Sequence, residues 1–339
     1  MRVGFNPNKD KILSKSDFTH QVIVPVYIPH QNDYFKDCFQ ILRYCLESLI
    51  TTSHAKTYIT VVNNGSCDEV ILYLNQLQLQ GKIHEVIHTT AIGKLNAILK
   101  GLTGHQFPLI TITDADVLFL NHWQKATYEV FEAFPKTGLV CTTPSSKSFN
   151  DKTFNIITER LFSKTMAFTK VKNPAAFEAF ATSIGNPNFY KPVHFEKYLT
   201  LTHHKVQAVV GAGHFVATYR GNIFSDLGVT ATPFSLGGTS EAKILDLPVI
   251  RKGYWRLSTD DNYTYHLGNV QESWMQETFN TLKNEEKEID FVLHKPLKRP
   301  SKFLFWLKNN VLEKLFYQKG IRRFFLKYKG LTTEEVVNY

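Results

Sequence analysis

The sequence predicts an α/β protein built on a mostly parallel, doubly wound sheet with a C-terminal amphipathic helical extension, and three observations carry that prediction. Apolar, β-branched runs alternate with runs of helical period from His20 to Leu120. The last of these strand-like runs, LITITDAD, ends on two carboxylates, Asp114 and Asp116. Beyond Phe291 the composition changes: eleven of the 39 lysines and arginines fall between Phe291 and Gly330, against one acidic residue, Glu313.

The elements follow in order. HQVIVPVYI (His20 to Ile28) reads as a short buried strand carrying a proline. Asp33 to Thr51 places Phe35, Phe39, Leu42, Leu46 and Leu49 at helical spacing. Thr57 to Ser66 is a second strand that runs into an Asn-Gly turn. Val70 to Leu79 is a second helix, KIHEVIHT a third strand, Ile92 to Leu102 a third helix, and LITITDAD the fourth strand. Strand and helix alternating in this way mean parallel strands joined by crossover helices. The segment from Asn150 to Thr202 has no clean period and reads as irregular structure over the site face. Val206 to Tyr219 is a further apolar run. The chain divides into an extension (1–19), a core (20–235), a segment of the same domain (236–290) and the basic tail (291–339).

Composition narrows the function classes. At 339 residues, 43% hydrophobic and 13% aromatic, the chain can bury a large core. Cys38, Cys45, Cys67 and Cys141 lack the spacing of a zinc site or a disulfide framework, which fits a reducing, cytosolic setting. The N-terminus has no apolar signal core, and no apolar run approaches the roughly 18 residues that span a bilayer. The expectation is a protein neither exported by a cleavable signal nor membrane-spanning. Net charge is +9, but almost all of it lies in the tail, so a nucleic-acid reading does not suit the body.

Two carboxylates one residue apart at the end of a buried strand call for something positive. Ligands gather at the carboxyl ends of strands in open α/β sheets. Mg²⁺ or Mn²⁺ takes carboxylate oxygens and completes its shell with substrate phosphates. The alternative is a helix cap or turn.

The motifs VIVPVY, VVNNGS, GKLNAILKGL, TDADVLF, VVGAGHF, GGTSEAKILD and YHLGN stand in an order that resembles the GT-A fold glycosyltransferases, most nearly glycosyltransferase family 2, over roughly His20 to Asn269. The resemblance implies a nucleotide-diphosphate sugar donor, with Val24, Pro25 and Tyr27 flooring the base site and Asn63 and Asn64 where family members carry an aspartate. It sets Lys94 and Asn96 beside the diphosphate, and Asp114, Ala115 and Asp116 at the metal-binding D-x-D. His266 matches a further metal ligand. For the general base that an inverting transfer needs, the family's acidic pair is reduced here to Glu241 followed by Ala242, after a Gly-Gly turn; Asp246 and the Asp260–Asp261 pair are the rivals. Gly213, His214, Trp255 and Arg256 are expected to line the sugar or acceptor site.

In the tail, Leu304, Leu307, Val311, Leu312, Leu315 and Phe316 share one side of a helical wheel, and Ile321, Phe324 and Phe325 continue an apolar stripe beside Arg322, Arg323 and Lys327. A Phe- and Trp-rich face with a cationic border suits a helix lying on an anionic membrane between 298 and 330. That location suggests a glycan or lipid-linked glycan acceptor at the cytosolic face, as in surface-polysaccharide assembly. Oligomeric state has no signature in the sequence. Two other functions compete: a non-catalytic, membrane-associated binding protein on the same scaffold, and a sugar-nucleotide pyrophosphorylase. The second would open with a Gly-rich loop where this chain has PVYIPHQND.

Overall fold

Every residue of β1 (His20–Val26) is buried, as befits a strand whose sheet is covered on both faces. It lies between β2 (Thr57–Asn64) and β4 (Leu109–Thr113), parallel to both, and β2 is in turn parallel to β3 (Glu85–Thr89). Helices α1 (Cys38–Thr51), α2 (Asp68–Leu79) and α3 (Lys94–Gly101) make the crossovers. The computed structural model describes residues 4–12, 16–237, 239–285 and 288–339. Two strands stand apart from the main sheet, β5 (Val117–Phe119) and β12 (Thr264–His266), which pair antiparallel with each other.

Beyond β4 the ten-stranded sheet becomes mixed. It continues through β10 (Val216–Arg220), β6 (Thr137–Cys141), β11 (Trp255–Thr259), β9 (Val206–Val210), β8 (Lys197–His203) and β7 (Met166–Lys170). β10 runs antiparallel to both β4 and β6, whereas β6 and β11 are parallel. The architecture is therefore α/β, parallel over its first four strands and mixed after them.

Three sequence expectations change. The 150–202 segment is ordered, with helices Phe154–Arg160 and Pro174–Ser183 and an antiparallel β7–β8 pair. Its period is masked because Phe177, Phe180, Phe189, Tyr190 and Phe195 form an aromatic cluster of their own. The run from Val206 to Tyr219 is two strands, broken at Gly211, whose φ of +96° and 2.2 Å clearance from the Ser148 carbonyl to a built Cβ admit no side chain. The first helix starts at Cys38, since Asp33–Phe35 makes only one 3₁₀ turn.

A buried polar knot ties the parallel strands to α4 (Trp123–Ala133). His20 Nδ1 and His54 Nε2 each lie 2.7 Å from the Tyr128 hydroxyl, and His20 Nε2 lies 2.7 Å from Thr111 Oγ1. Gln124 donates to Thr57 Oγ1 at 2.9 Å. Burial holds His20 well below the usual imidazole range and lowers His54 from 6.5 to about 4. Both rings fold in their neutral form, so the unfolded chain binds more protons below pH 6.5. Urea unfolding should thus show stability that is complete above about pH 6.5 and falls toward pH 4, and His54→Gln should flatten that slope. An unchanged slope in the variant would remove His54 from the linkage.

Candidate active site

The residues of interest meet at the turn between β4 and β5. Asp114 N–H donates to the Phe215 carbonyl and Leu267 N–H to the Asp116 carbonyl, each at 2.7 Å. The turn is thereby fastened to the chain beside His214 on one side and beside His266 on the other. In the β5–β12 ladder His266 pairs with Val117, which sets the imidazole next to Asp116: Nε2 lies 3.4 Å from Asp116 Oδ2.

The tautomer of His266 follows from its neighbours. Nδ1 is 2.9 Å from Ser183 Oγ, and that hydroxyl gives its only proton to the Phe180 carbonyl at 2.8 Å. Ser183 therefore accepts from Nδ1–H, so that in the neutral ring the lone pair falls on Nε2. A second partner fixing the far ring nitrogen is the usual arrangement of a metal-binding histidine. Asp116 Oδ1 is buried and has no hydrogen-bond partner. Burial pushes the Asp116 carboxyl up to about 6, with Asp114 adding to the rise and His266 and Lys94 opposing it. A buried carboxylate oxygen with no partner, beside an imidazole lone pair, is a donor set that suits a divalent cation.

Asp114 points elsewhere. Its Oδ1 is 2.5 Å from Lys94 Nζ: residues i and i+2 would share one side of an extended strand, but the chain turns at Ala115–Asp116 and the two carboxylates part. Among the described residues no three His, Cys, Asp or Glu side chains gather as a ready metal cluster. The expected trio of Asp114, Asp116 and His266 thus resolves into an Asp116–His266 pair and an Asp114–Lys94 ion pair. Burial alone would lower the Lys94 ammonium, but Asp114, Glu241 and Asp116 outweigh it and raise its pKa above the ordinary value.

A cleft of about 370 Å³ opens on this turn. Pro25 and Tyr27 line it, joined by Tyr34 and Phe35 of the Asp33–Phe35 turn, which fall inside the helix the sequence predicts from Asp33 to Thr51. Lys94, Asp114, Ala115 and Asp116 form its polar end. Asn64 lies on the cleft, its Oδ1 accepting from Ile92 N–H at 2.8 Å, so only its NH₂ is left to offer a ligand.

Two amides expected at the nucleotide serve the fold instead. Strand alternation turns Asn63 away from Asn64: its Oδ1 accepts from Ser66 N–H and its Nδ2 lies 3.0 Å from His88 Nδ1. Asn96 donates to the Ile92 and Thr232 carbonyls and accepts from Thr232 N–H, latching α3 to the 232–236 segment. That segment brings Ser235 and Leu236 to the rim of the cleft.

On the other side stands Glu241, a quarter exposed, with Oε2 3.3 Å from His214 Nε2 and Oε1 4.0 Å from Lys94 Nζ. Gly238, of the Gly-Gly turn before it, lies outside the described residues. His214 Nδ1 in turn is 3.9 Å from Asp246 Oδ1. Asp246 and Arg256 are corrections to the expected roles. Both are buried, 3.0 Å apart, and Arg256 also donates to the Ala212 and Asp151 carbonyls. Neither can meet an acceptor hydroxyl; together they back the turn Ala212–Gly213–His214. Trp255 is also a correction, being core: it is buried, with its indole N–H on Glu159. Asp260 is paired with Lys172, and Asp261 caps Asn262 N–H.

A family model described as Glycosyl transferase family 2 matches residues 22–191. Among solved structures the chain is similar to S. aureus TarS 1–349 in complex with UDP-GlcNAc, at 15% identity over 76% of this chain and 61% of that one, with a TM-score of 0.42. It is similar as well to the mannosyltransferase PcManGT from Pyrobaculum calidifontis in complex with GDP-Man and Mn2+, at 15% identity over 79% and 62% of the two chains, TM-score 0.42. The chain thus spans 61% and 62% of the lengths of these two. No curated protein sequence matches it. The matched family stretch contains Lys94, Asp114 and Asp116 and ends before His214, Glu241 and His266.

Removing one partner of a buried ion pair strands the other, at a cost of about 3–5 kcal/mol. Arg256→Leu should therefore lower the urea midpoint sharply, whereas Glu241→Gln at the cleft edge should leave it nearly unchanged. Equal midpoints for the two variants would contradict the supporting role given to Arg256.

Proposed function

The chain belongs to glycosyl transferase family 2, whose model matches half of it, and from that premise we propose that it moves a sugar from a nucleoside-diphosphate sugar to a saccharide or lipid-linked saccharide with a divalent cation, Mn²⁺ or Mg²⁺, and with inversion. The observation that carries this reading is the Asp116–His266 pair, a carboxylate oxygen without a partner beside an imidazole nitrogen with a free lone pair.

In this reading Asp116 and His266 hold the cation, and the cation supplies countercharge to the diphosphate leaving group. Lys94 serves the same end from the other side of the turn. In the ground state its ammonium rests on Asp114; with donor bound, it shifts toward the phosphate oxygens, and Asp114 is freed for the ribose or a bound water. Pro25, Tyr27, Tyr34 and Phe35 give the base an apolar, aromatic slot, and Asn64 donates to it.

Glu241 is the base. The acceptor hydroxyl oxygen attacks the anomeric carbon, the bond from that carbon to the diphosphate oxygen breaks, and the hydroxyl proton passes to a Glu241 oxygen. His214, between Glu241 and the buried Asp246–Arg256 pair, holds that carboxylate in place. The four cysteines are free, which fits a reducing compartment, and we assign the reaction to the cytosolic side, in the assembly of surface polysaccharide.

Isothermal titration with UDP, GDP and dTDP, each with and without Mn²⁺, tests the donor site. One nucleotide should bind at least tenfold more tightly with the metal, and Asp116→Ala and His266→Ala should abolish that gain. Metal-independent binding, or a gain that survives in both variants, contradicts the cation role. In donor-turnover assays Glu241→Gln should lower kcat by at least a hundredfold with little change in donor KM; unimpaired kcat would exclude Glu241 as base.

A further inference from the structure

The tail after Phe291 is attached by one side only. Phe316, Phe325, Leu326, Leu331, Val336 and Tyr339 are buried in the cluster that contains Phe149, Phe154 and Phe168. Tyr317 O–H donates to the Asn150 carbonyl, and Arg322 donates to Asn150 Oδ1. The attachment leaves a second apolar side uncovered. Phe303, Leu304 and Trp306 on helix Lys302–Trp306, and Ile321, Phe324 and Tyr328 on helix Lys319–Tyr328, are 46–69% exposed. Of the twenty-three large apolar side chains exposed among the described residues, nine lie between Phe303 and Tyr328. Ordinary surface scatter does not concentrate them this way.

The arrangement within each helix is regular. Ile321, Phe324 and Tyr328 follow one another at i, i+3 and i+7, and the Phe324 and Tyr328 rings stack at 6.1 Å. Arg323 and Lys327 form the adjoining row. Lys302, Lys314, Lys319, Arg323 and Lys327 make no ion pair among the described residues. Among the described residues no helix is long and apolar enough to cross a membrane.

We propose that this outer side of the tail, residues 302–328, docks in the plane of an anionic lipid bilayer, with Phe303, Trp306 and Phe324 among the acyl chains and the free lysines and Arg323 at the headgroups. Charge selects this occupant. A second copy of the chain would bring like charges against the same row, whereas anionic headgroups neutralise it while the rings leave water. Position supports it as well. Asn150, which seats the tail, precedes Asp151 and Lys152, and these reach Arg256 and Asp246 behind His214. The docked face is therefore built onto the acceptor edge of the cleft, where a lipid-anchored saccharide would arrive. This last point rests on the proposed transferase reading; the docking itself does not.

The test uses the full chain and sucrose-loaded vesicles of phosphatidylcholine alone or mixed with phosphatidylglycerol. Sedimentation should carry the protein down with the mixed vesicles and at least tenfold less with phosphatidylcholine, and added salt should weaken the binding. Trp123 and Trp255 are buried, Trp274 is part-buried on helix Ser273–Asn280 outside the 302–328 segment, and Trp306 is half exposed, so brominated acyl chains should quench the tryptophan emission of the parent protein and much less that of Trp306→Phe. The variant Phe303→Ser/Trp306→Ser/Phe324→Ser should lose at least tenfold in partition while keeping its melting temperature and its nucleotide titration. Equal binding to both vesicle types, full binding by the triple variant, or a concentration-dependent dimer abolished by the same substitutions would overturn the proposal. Because nucleotide affinity is read separately, loss of donor binding with intact docking would count against the transferase reading alone.

Discussion

The candidate site depends on how one short turn is held. Asp114 to Asp116 leaves the buried β4 and enters β5, and backbone hydrogen bonds to Phe215 and from Leu267 clamp it at both ends. A turn so clamped can send its two carboxylates to different partners without either drifting. Asp114 goes to Lys94 at the start of α3, and Asp116 goes to His266. The same clamps reach across 101 and 151 residues of sequence, from Asp114 to Phe215 beside His214 and from Asp116 to Leu267 beside His266. Lys94 on one side, and His214 and His266 on the other, come together here because both sides are tied to this turn.

Charge around the turn is layered. Nearest the cleft, Lys94, Asp114, Asp116 and Glu241 are partly open to solvent. Behind them, Asp246 and Arg256 are buried against each other and against backbone carbonyls. Buried pairs add little net stability compared with apolar packing but are costly to break. Their place here is to keep the Ala212–His214 turn, and through His214 the Glu241 carboxylate, in one position. Preorganised groups of this kind favour the transition state without reorganising during the reaction.

The parallel half of the fold, with the cleft at the end of β4, was legible because parallel strands and crossover helices leave strong periodic signals, and because the carboxyl ends of such strands are where ligands gather. Within it, the errors were matters of direction. Asn63 and Asn64 look equivalent in sequence, yet strand alternation gives one to Ser66 and His88 and the other to the cleft. Asn96 carries no sequence mark distinguishing a ligand from a latch, and only the fold of 232–236 onto α3 decides it. The half beyond β4 was less legible. Arg256, Trp255 and Asp246 sit in polar or aromatic motifs that suggest a binding site, but tertiary burial turns all three inward. Tyr34 and Phe35 were hidden in a helical pattern that reads from Asp33, whereas the helix begins at Cys38. In the tail the wheel found an apolar side, whereas the structure divides the apolar residues between an attached side and an exposed one.

The central claim is that Asp116 and His266 hold one cation together with the donor diphosphate. Pulsed electron paramagnetic resonance of the protein with Mn²⁺ and its preferred nucleoside diphosphate tests it directly. The account predicts a nitrogen coupling from a directly bound imidazole together with a phosphorus coupling, the first vanishing in His266→Ala and both in Asp116→Ala. A Mn²⁺ signal with phosphorus coupling but no nitrogen coupling, unaltered by either substitution, would contradict it.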